Sequence, residues 1–270
     1  MQSNSVFYFQ PKRLSSLRTK RTMSKKERLA HQLILDFPSR PEYMFSNFVV
    51  SEGSKIAFDA ARQFCGEKPS PFSTLYLFGG RNLGKTHLLI SIGNQSASMG
   101  KKALYVHGAD FIKKTDENAN GSSGEFISIL SNVDLFLLDG VDHIAGQRAS
   151  QEKLYLIFNT LVEKEKKIAF AGNLNPANLE DTESYLTSRF QWGMSAELKP
   201  IDDNTTAKII TKLAKDSGLV IPDKVVDYLL TRIPRDFRSI KHTISTVNHE
   251  SYIQKKKVTV PMVKATLDLP

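Results

Sequence analysis

The stretch that most limits how this chain can fold is GGRNLGKT, residues 79–86, which fits the pattern G-x-x-x-x-G-K-[ST]. It lies between a short apolar run, TLYLF (74–78), and a stretch of helical spacing, GKTHLLISIGNQSASMG (84–100). A glycine-rich turn in that position lets successive backbone N–H groups face one point. The helix that follows adds its positive end, so strand, loop and helix together cradle phosphate. Gly79, Gly80, Arg81, Asn82, Leu83, Gly84, Lys85, Thr86 and His87 are therefore expected around a nucleotide, with Lys85 reaching the β and γ phosphates and the Thr86 hydroxyl on Mg²⁺. The expected cofactors are ATP or ADP with Mg²⁺, and these letters do not choose between the two nucleotides.

The rest of the chain continues the pattern. KALYVHG (102–108), SNVDLFLLDG (131–140) and KIAFAGN (167–173) read as strands, and QEKLYLIFNTLVEKEK (151–166) has helical spacing. Strands that are apolar throughout and alternate with helices imply a parallel sheet covered on both faces. After Pro200 the pattern turns helical. Thr205 or Thr206 is expected to cap AKIITKLAKDSG, Gly218 to stop it, Pro222 to open DKVVDYLLTRI, and a longer helix to run over about 235–255, with only KVTV (257–260) breaking this end. The expected fold is α/β, a phosphate-loop αβα sandwich over 41–200, followed by a small all-helical domain over 201–270 and preceded by a flexible basic segment over 1–40. KKTDENANGSSG (113–124) reads as a flexible insertion.

Charge is uneven. Residues 1–28 hold eight Lys/Arg against Glu27 and so carry +7 of the net +9. Such an arm can make weak, non-specific contact with nucleic-acid phosphates; the preferred reading is a disordered tail, or an over-called extension ahead of a true start at Met23. A single cysteine, Cys65, and no zinc-like Cys/His spacing fit a reducing compartment without a structural metal. No run approaches the roughly 18 to 20 apolar residues of a membrane span, so a cytoplasmic protein is expected.

Asp139 ends the run LFLL and is the natural acidic partner of the magnesium bound through Thr86, but the next residue is Gly140. Glycine offers neither a base nor an acceptor to orient water, so nucleotide binding is expected with weak hydrolysis. Asp142 or His143 from the following loop is the alternative water-positioning group.

In chain order, YMFSNFVV (43–50), GGRNLGKTHLL (79–89), LLDGVDHIAGQRASQEKLYLIFN (137–159), SRFQWG (188–193) and IPRDFRSI (233–240) resemble the AAA+ module of DnaA, the bacterial replication initiator family. The resemblance runs from about residue 40 to the end, and implies an AAA+ domain with a helical lid. It also implies that Arg189 is an arginine finger offered in trans, Asn173 the first sensor, Arg235 the lid sensor on the phosphates, and Phe48 and Val49 part of the adenine pocket. Three departures stand out. The second acid is missing, the chain stops at Pro270 without a helix-turn-helix domain, and 113–124 replaces the region near which the initiator builds its single-strand pore.

Upstream, QLILDF (32–37) resembles the short peptide by which bacterial replication proteins bind the sliding clamp, with Gln32 gripped and Leu33, Leu35 and Phe37 meeting an apolar cleft. The same letters would also suit a first strand packing Leu33, Leu35 and Phe37 on the core, a reading that loses ground because the segment lies between a basic tail and PSRP, outside the resembling region. A shortened module with such a motif is similar to the Hda group of initiator regulators. That resemblance implies the DnaA initiator and the clamp as partners, stimulation of the initiator's ATP hydrolysis, and room for self-association. An active AAA+ ATPase of the helicase-loader kind and a non-enzymatic replication adaptor remain the alternatives.

Overall fold

The structure is a computed structural model that describes residues 42–117, 130 and 132–269. Five strands, β1 (Thr74–Gly79), β2 (Ala103–His107), β3 (Leu135–Asp139), β4 (Lys167–Gly172) and β5 (Met194–Leu198), form one sheet in the order β2-β3-β4-β1-β5. Every pairing is parallel. Side chains alternate across a strand, so each apolar strand feeds two cores. Tyr76, Leu104, Val106, Phe136, Leu138, Ile168 and Phe170 point to one face, where they meet Phe111 of α3 (Gly108–Glu117), Leu154 to Leu161 of α4 (Arg148–Glu163), and Leu186 and Phe190 of α5 (Ser184–Phe190). Leu75, Leu77, Leu135, Leu137, Ala169 and Ala171 point to the other, against α1 (Lys55–Cys65) and α2 (Lys85–Ser98). This is why LFLL of β3 carries no polar residue: both of its sides are interior.

Four helices follow: α6 (Asp203–Asp216), α7 (Asp223–Leu230), α8 (Phe237–Gln254) and α9 (Val260–Leu267). They share a third core around Ile209, Ile210, Val225, Leu229, Ile240, Ile244 and Val263. The whole is an αβα layer followed by a helical domain, as the sequence pattern predicts.

The structure corrects three local expectations. Asp202, not Thr205 or Thr206, caps α6: its carboxylate accepts the Thr205 N–H at 2.7 Å and the Thr205 hydroxyl at 2.8 Å, which starts the helix earlier. An ionised carboxylate is the stronger acceptor for a helix's first N–H groups, which also explains why the Asp202 carboxyl is held below its usual range, first by that backbone bond. Residues 113–117, expected in a flexible insertion, complete α3. Thr115 is drawn inward, its hydroxyl lying 2.7 Å from that of Ser150 on α4. The remainder of that insertion falls outside the described residues, as does the whole basic segment with Gln32, Leu33, Leu35 and Phe37. Third, α1, α5 and β5 had no counterpart in the strand and helix pattern. Among the described residues no helix is long and apolar enough to cross a membrane.

Candidate functional site

The carboxyl ends of β1, β3 and β4 meet at one edge of the sheet, the place where open α/β sheets hold ligands. β1 delivers the loop of residues 79–86. Two of its glycines are required by space. A Cβ on Gly79 would stand 2.1 Å from the Leu198 carbonyl oxygen of β5, and one on Gly84 would stand 2.7 Å from Cε2 of Phe48. Both residues have positive φ (144° and 102°), and Asn82 adopts 61°. The loop is thus curled in the left-handed region that glycine, and to a lesser degree Asn, tolerates.

Lys85 is buried at the mouth of this curl. Its Nζ donates to the carbonyls of Gly79 (2.7 Å) and Gly80 (2.6 Å) and to Oδ1 of Asn173 (3.2 Å) at the end of β4. Burial pushes its ammonium below the ordinary lysine range, and Asp139 and Asp142 offset part of that push. Thr86 Oγ1 donates to Asp139 Oδ2 at 2.6 Å. The same carboxylate oxygen accepts the Tyr105 hydroxyl at 2.8 Å. A hydroxyl, a carboxylate and an ammonium gathered beside a curled glycine loop are the donor set that a nucleotide with Mg²⁺ needs, and the loop leaves no room for side chains where phosphate would lie.

Beside the loop, a cavity of about 350 Å³ opens between the sheet layer and the lid. Phe48 and Val49 line it together with Asn82, Leu83, Gly84, Lys85, Thr86 and His87. Phe48 stacks on Phe58 with centroids 5.6 Å apart and meets the His87 ring edge-on at 5.2 Å. His87 Nε2 lies 3.0 Å from the Met44 carbonyl, which ties the entry strip 43–49 to the start of α2. Burial holds the His87 imidazole below its ordinary value, the Met44 bond countering part of it.

Gly140 follows Asp139 with φ 72° and ψ 52°. A Cβ there would lie 3.0 Å from Cδ2 of His143 and 3.2 Å from Nε2 of His107. The position of the missing acid is therefore both left-handed and flanked by two imidazoles, whose ring centroids are 5.0 Å apart. Asp142, the other candidate, accepts the Asn173 N–H with both oxygens at 2.8 Å.

Arg235 Nη2 pairs with Asp203 Oδ1 at 2.7 Å and, like Gly79, Gly80, Asp139 and Asn173, lies outside the lining of this cavity. Arg189 lies in the last turn of α5, and its guanidinium lies over the rings of Trp192 (5.0 Å), Tyr155 (5.6 Å) and Phe158 (5.9 Å), with Nε donating to Asn159 Oδ1 at 3.3 Å. These contacts are with α4 and Trp192 rather than with the loop of its own chain. Arg189 is half-buried and Trp192 beside it is 54% exposed, so the cation lies at a surface a second protein can reach.

Tyr105 escaped the reading of the sequence because a tyrosine in an apolar strand reads as core. Its role follows from register: Tyr105 pairs with Leu137, so the phenol reaches diagonally to Asp139. The lid residues Phe237, Arg238 and Lys241, and Lys199 before them, also line the cavity without any local signal in their spacing.

Residues 40–197 match the family described as the bacterial DnaA ATPase domain, and residues 203–267 the one described as the Hda lid domain. Among curated proteins, the chromosomal replication initiator protein DnaA of Buchnera aphidicola subsp. Cinara cedri is 28% identical over 93% of this chain. The chain spans about half the length of the curated relatives it matches, 58% of that protein and 52% to 54% of several others. Among solved structures, domain III of the Thermotoga maritima replication initiation protein DnaA superposes with a TM-score of 0.79 at 28% identity, covering 85% of this chain and 97% of that one. AMPPCP-bound DnaA from Aquifex aeolicus gives 0.72 at 32% identity, covering 77% of this chain and 65% of that one.

Proposed function

For this chain, which belongs to the bacterial DnaA ATPase family, we propose a role as a nucleotide-holding regulator of replication initiation whose reactive cation serves a partner's nucleotide rather than its own. One observation carries the reading. Asp139 and Thr86 stand 2.6 Å apart as a pair able to hold magnesium, while the next position is a left-handed glycine with no acid to orient water. Lys85 binds the phosphates, Asn173 orients beside Lys85, and Phe48 and Val49 receive the adenine. That AMPPCP occupies a DnaA relative 32% identical to this chain supports an adenine nucleotide here.

Arg189, half-buried among rings and reachable from outside, is the finger offered to ATP-bound initiator. An arginine supplied in trans to a developing γ-phosphate charge is worth about 10³ to 10⁵ in rate. Gln32, Leu33, Leu35 and Phe37 anchor the chain to the DNA-loaded sliding clamp, a reading supported by their letters alone.

A second reading, an active hydrolase, has His143 and His107 flanking the glycine as its support. Asp142 is less suited to the task, because both its oxygens already accept from Asn173. Steady-state ATP hydrolysis by the purified chain decides between them. The regulator reading predicts tight nucleotide binding with turnover far below that of the initiator, and turnover comparable to the initiator's refutes it.

A further inference from the structure

The neighbours of Arg189 fix a cation without cancelling it. The turn RFQWG, residues 189–193, sets their geometry. Phe190 anchors it in the core against Phe170 and Tyr76, with ring centroids 4.8 Å and 5.5 Å apart. Gly193 has φ 110°, and a Cβ there would stand 2.4 Å from the Thr74 carbonyl oxygen, so the chain runs hard against the start of β1. Between these two anchors Trp192 lies beside the helix end. Its N–H donates to the Arg189 carbonyl at 3.1 Å, and its ring meets that of buried Phe158 at 6.3 Å. The Arg189 guanidinium therefore meets the rings of Trp192, Tyr155 and Phe158 while its Nε donates to Asn159 Oδ1.

None of these neighbours is a carboxylate, and Arg189 has no ion-pair partner among the described residues. Arg148 and Arg235, by contrast, pair with Glu152 and Asp203. A ring face or an amide oxygen attracts and restrains a guanidinium but leaves its net charge whole. A carboxylate within hydrogen-bond reach would offset that charge, which is what a finger brings to a γ-phosphate. Restraining the long side chain beforehand also lowers the ordering cost met on docking. Resting on the trans-finger reading above, we infer that Trp192 and Asn159 are positioning residues for Arg189, which aim its guanidinium at a partner's nucleotide and keep its charge available.

The test follows conversion of initiator-bound ATP to ADP, with clamp loaded on DNA, as the full chain is titrated in. This separates the maximal stimulated rate from the half-saturating concentration. Trp192→Leu keeps apolar cover over Phe158 but removes the ring face, and should lower the maximal rate about tenfold; Trp192→Phe restores a ring and should stay within about threefold of the parent. Asn159→Asp barely changes volume and ties Arg189 to a carboxylate. It should lower the maximal rate at least about tenfold, with thermal stability unchanged or raised. Half-saturation should stay within about threefold for all three variants. A Trp192→Leu chain with the parent's maximal rate and only a weaker half-saturation would make Trp192 a docking contact and overturn its positioning role. Equal rate losses in Trp192→Leu and Trp192→Phe, with Tm falling in step, would make it a prop of the fold and overturn it too. An Asn159→Asp chain as active as the parent would overturn the need for an unpaired cation. If Arg189→Ala abolishes stimulation while Trp192→Leu and Asn159→Asp match the parent, this inference falls and the finger reading stands. A parent chain that does not stimulate, or an Arg189→Ala chain that matches it, removes both together.

Discussion

Replacing Gly140 by alanine tests the backbone at the missing acid, and its sign is informative. At a position with ordinary φ, Gly→Ala stabilises a protein by about 0.4 to 1 kcal/mol, because the unfolded chain loses freedom. Gly140 has φ 72° and ψ 52°, a left-handed conformation that costs a residue with a Cβ roughly 1 to 2 kcal/mol. The new Cβ would also stand 3.0 Å from Cδ2 of His143 and 3.2 Å from Nε2 of His107. Both neighbours are side chains that can yield by a few tenths of an ångström, so the backbone cost dominates. Gly140→Ala is expected to destabilise by about 1 to 2 kcal/mol and to lower Tm by about 2 to 8 °C. Asn tolerates the left-handed region, so Gly140→Asn should lose less. Adding His143→Ala to Gly140→Ala removes the closest contact but leaves φ as it is, so it should recover only a small part. Thermal unfolding followed by circular dichroism measures all four. An alanine variant as stable as the parent, or more stable, refutes the strained-glycine account. The consequence for function is that an acid cannot return at this position without a stability cost: the left-handed turn and the loss of the acid go together.

Other expectations follow from single contacts. Because the His87 imidazole is held below its ordinary value, the unfolded chain binds its proton first as pH falls. Stability should drop from about pH 7 through the lowered value by up to about 1.4 kcal/mol per unit, and His87→Gln should flatten that part of the ΔG–pH curve measured by urea unfolding. An unchanged slope in the variant would remove His87 as the cause. Tyr105→Phe takes one of two hydroxyl donors from Asp139 and should lower stability by about 1.5 to 3 kcal/mol in the same assay; no loss would mean that the bond contributes nothing. Replacing Gln32, Leu35 and Phe37 together by alanine should abolish binding to immobilised sliding clamp and leave ADP affinity unchanged, whereas retained clamp binding would return those letters to ordinary packing.

The reach of the sequence differed from part to part for physical reasons. Strands β1 to β4 and the loop were visible because burial on both faces forces continuous apolar runs, and a phosphate cradle needs glycine at fixed spacing. β5 was not, since MSAEL alternates polar residues outward and carries no continuous apolar run, unlike the other edge strand, β2. α1, KIAFDAARQFC, buries mostly alanines on its inner face, an amphipathic stripe too small-sided to stand out. The site divided the same way. Asp139 and Asn173 stand at strand ends, and Lys85 and Thr86 at the helix start that follows the glycine loop, positions that the parallel pattern and the loop motif dictate. Tyr105, Arg238 and Lys241 reach the site only through register and through the way the lid lies over the sheet, long-range facts that local spacing does not encode. Arg235 shows another limit: its letters match the family's lid sensor, but they do not announce its pairing with Asp203 at the start of α6.

The central claim is that the arginine is lent across a protein boundary. It is tested most directly by mixing purified chain, clamp loaded on DNA and ATP-bound initiator, then following conversion of initiator-bound ATP to ADP with the parent and with Arg189→Ala. The account predicts rapid conversion with the parent and loss of at least about a thousandfold of that stimulation with the variant, clamp and nucleotide binding being retained. Equal conversion by both would contradict it.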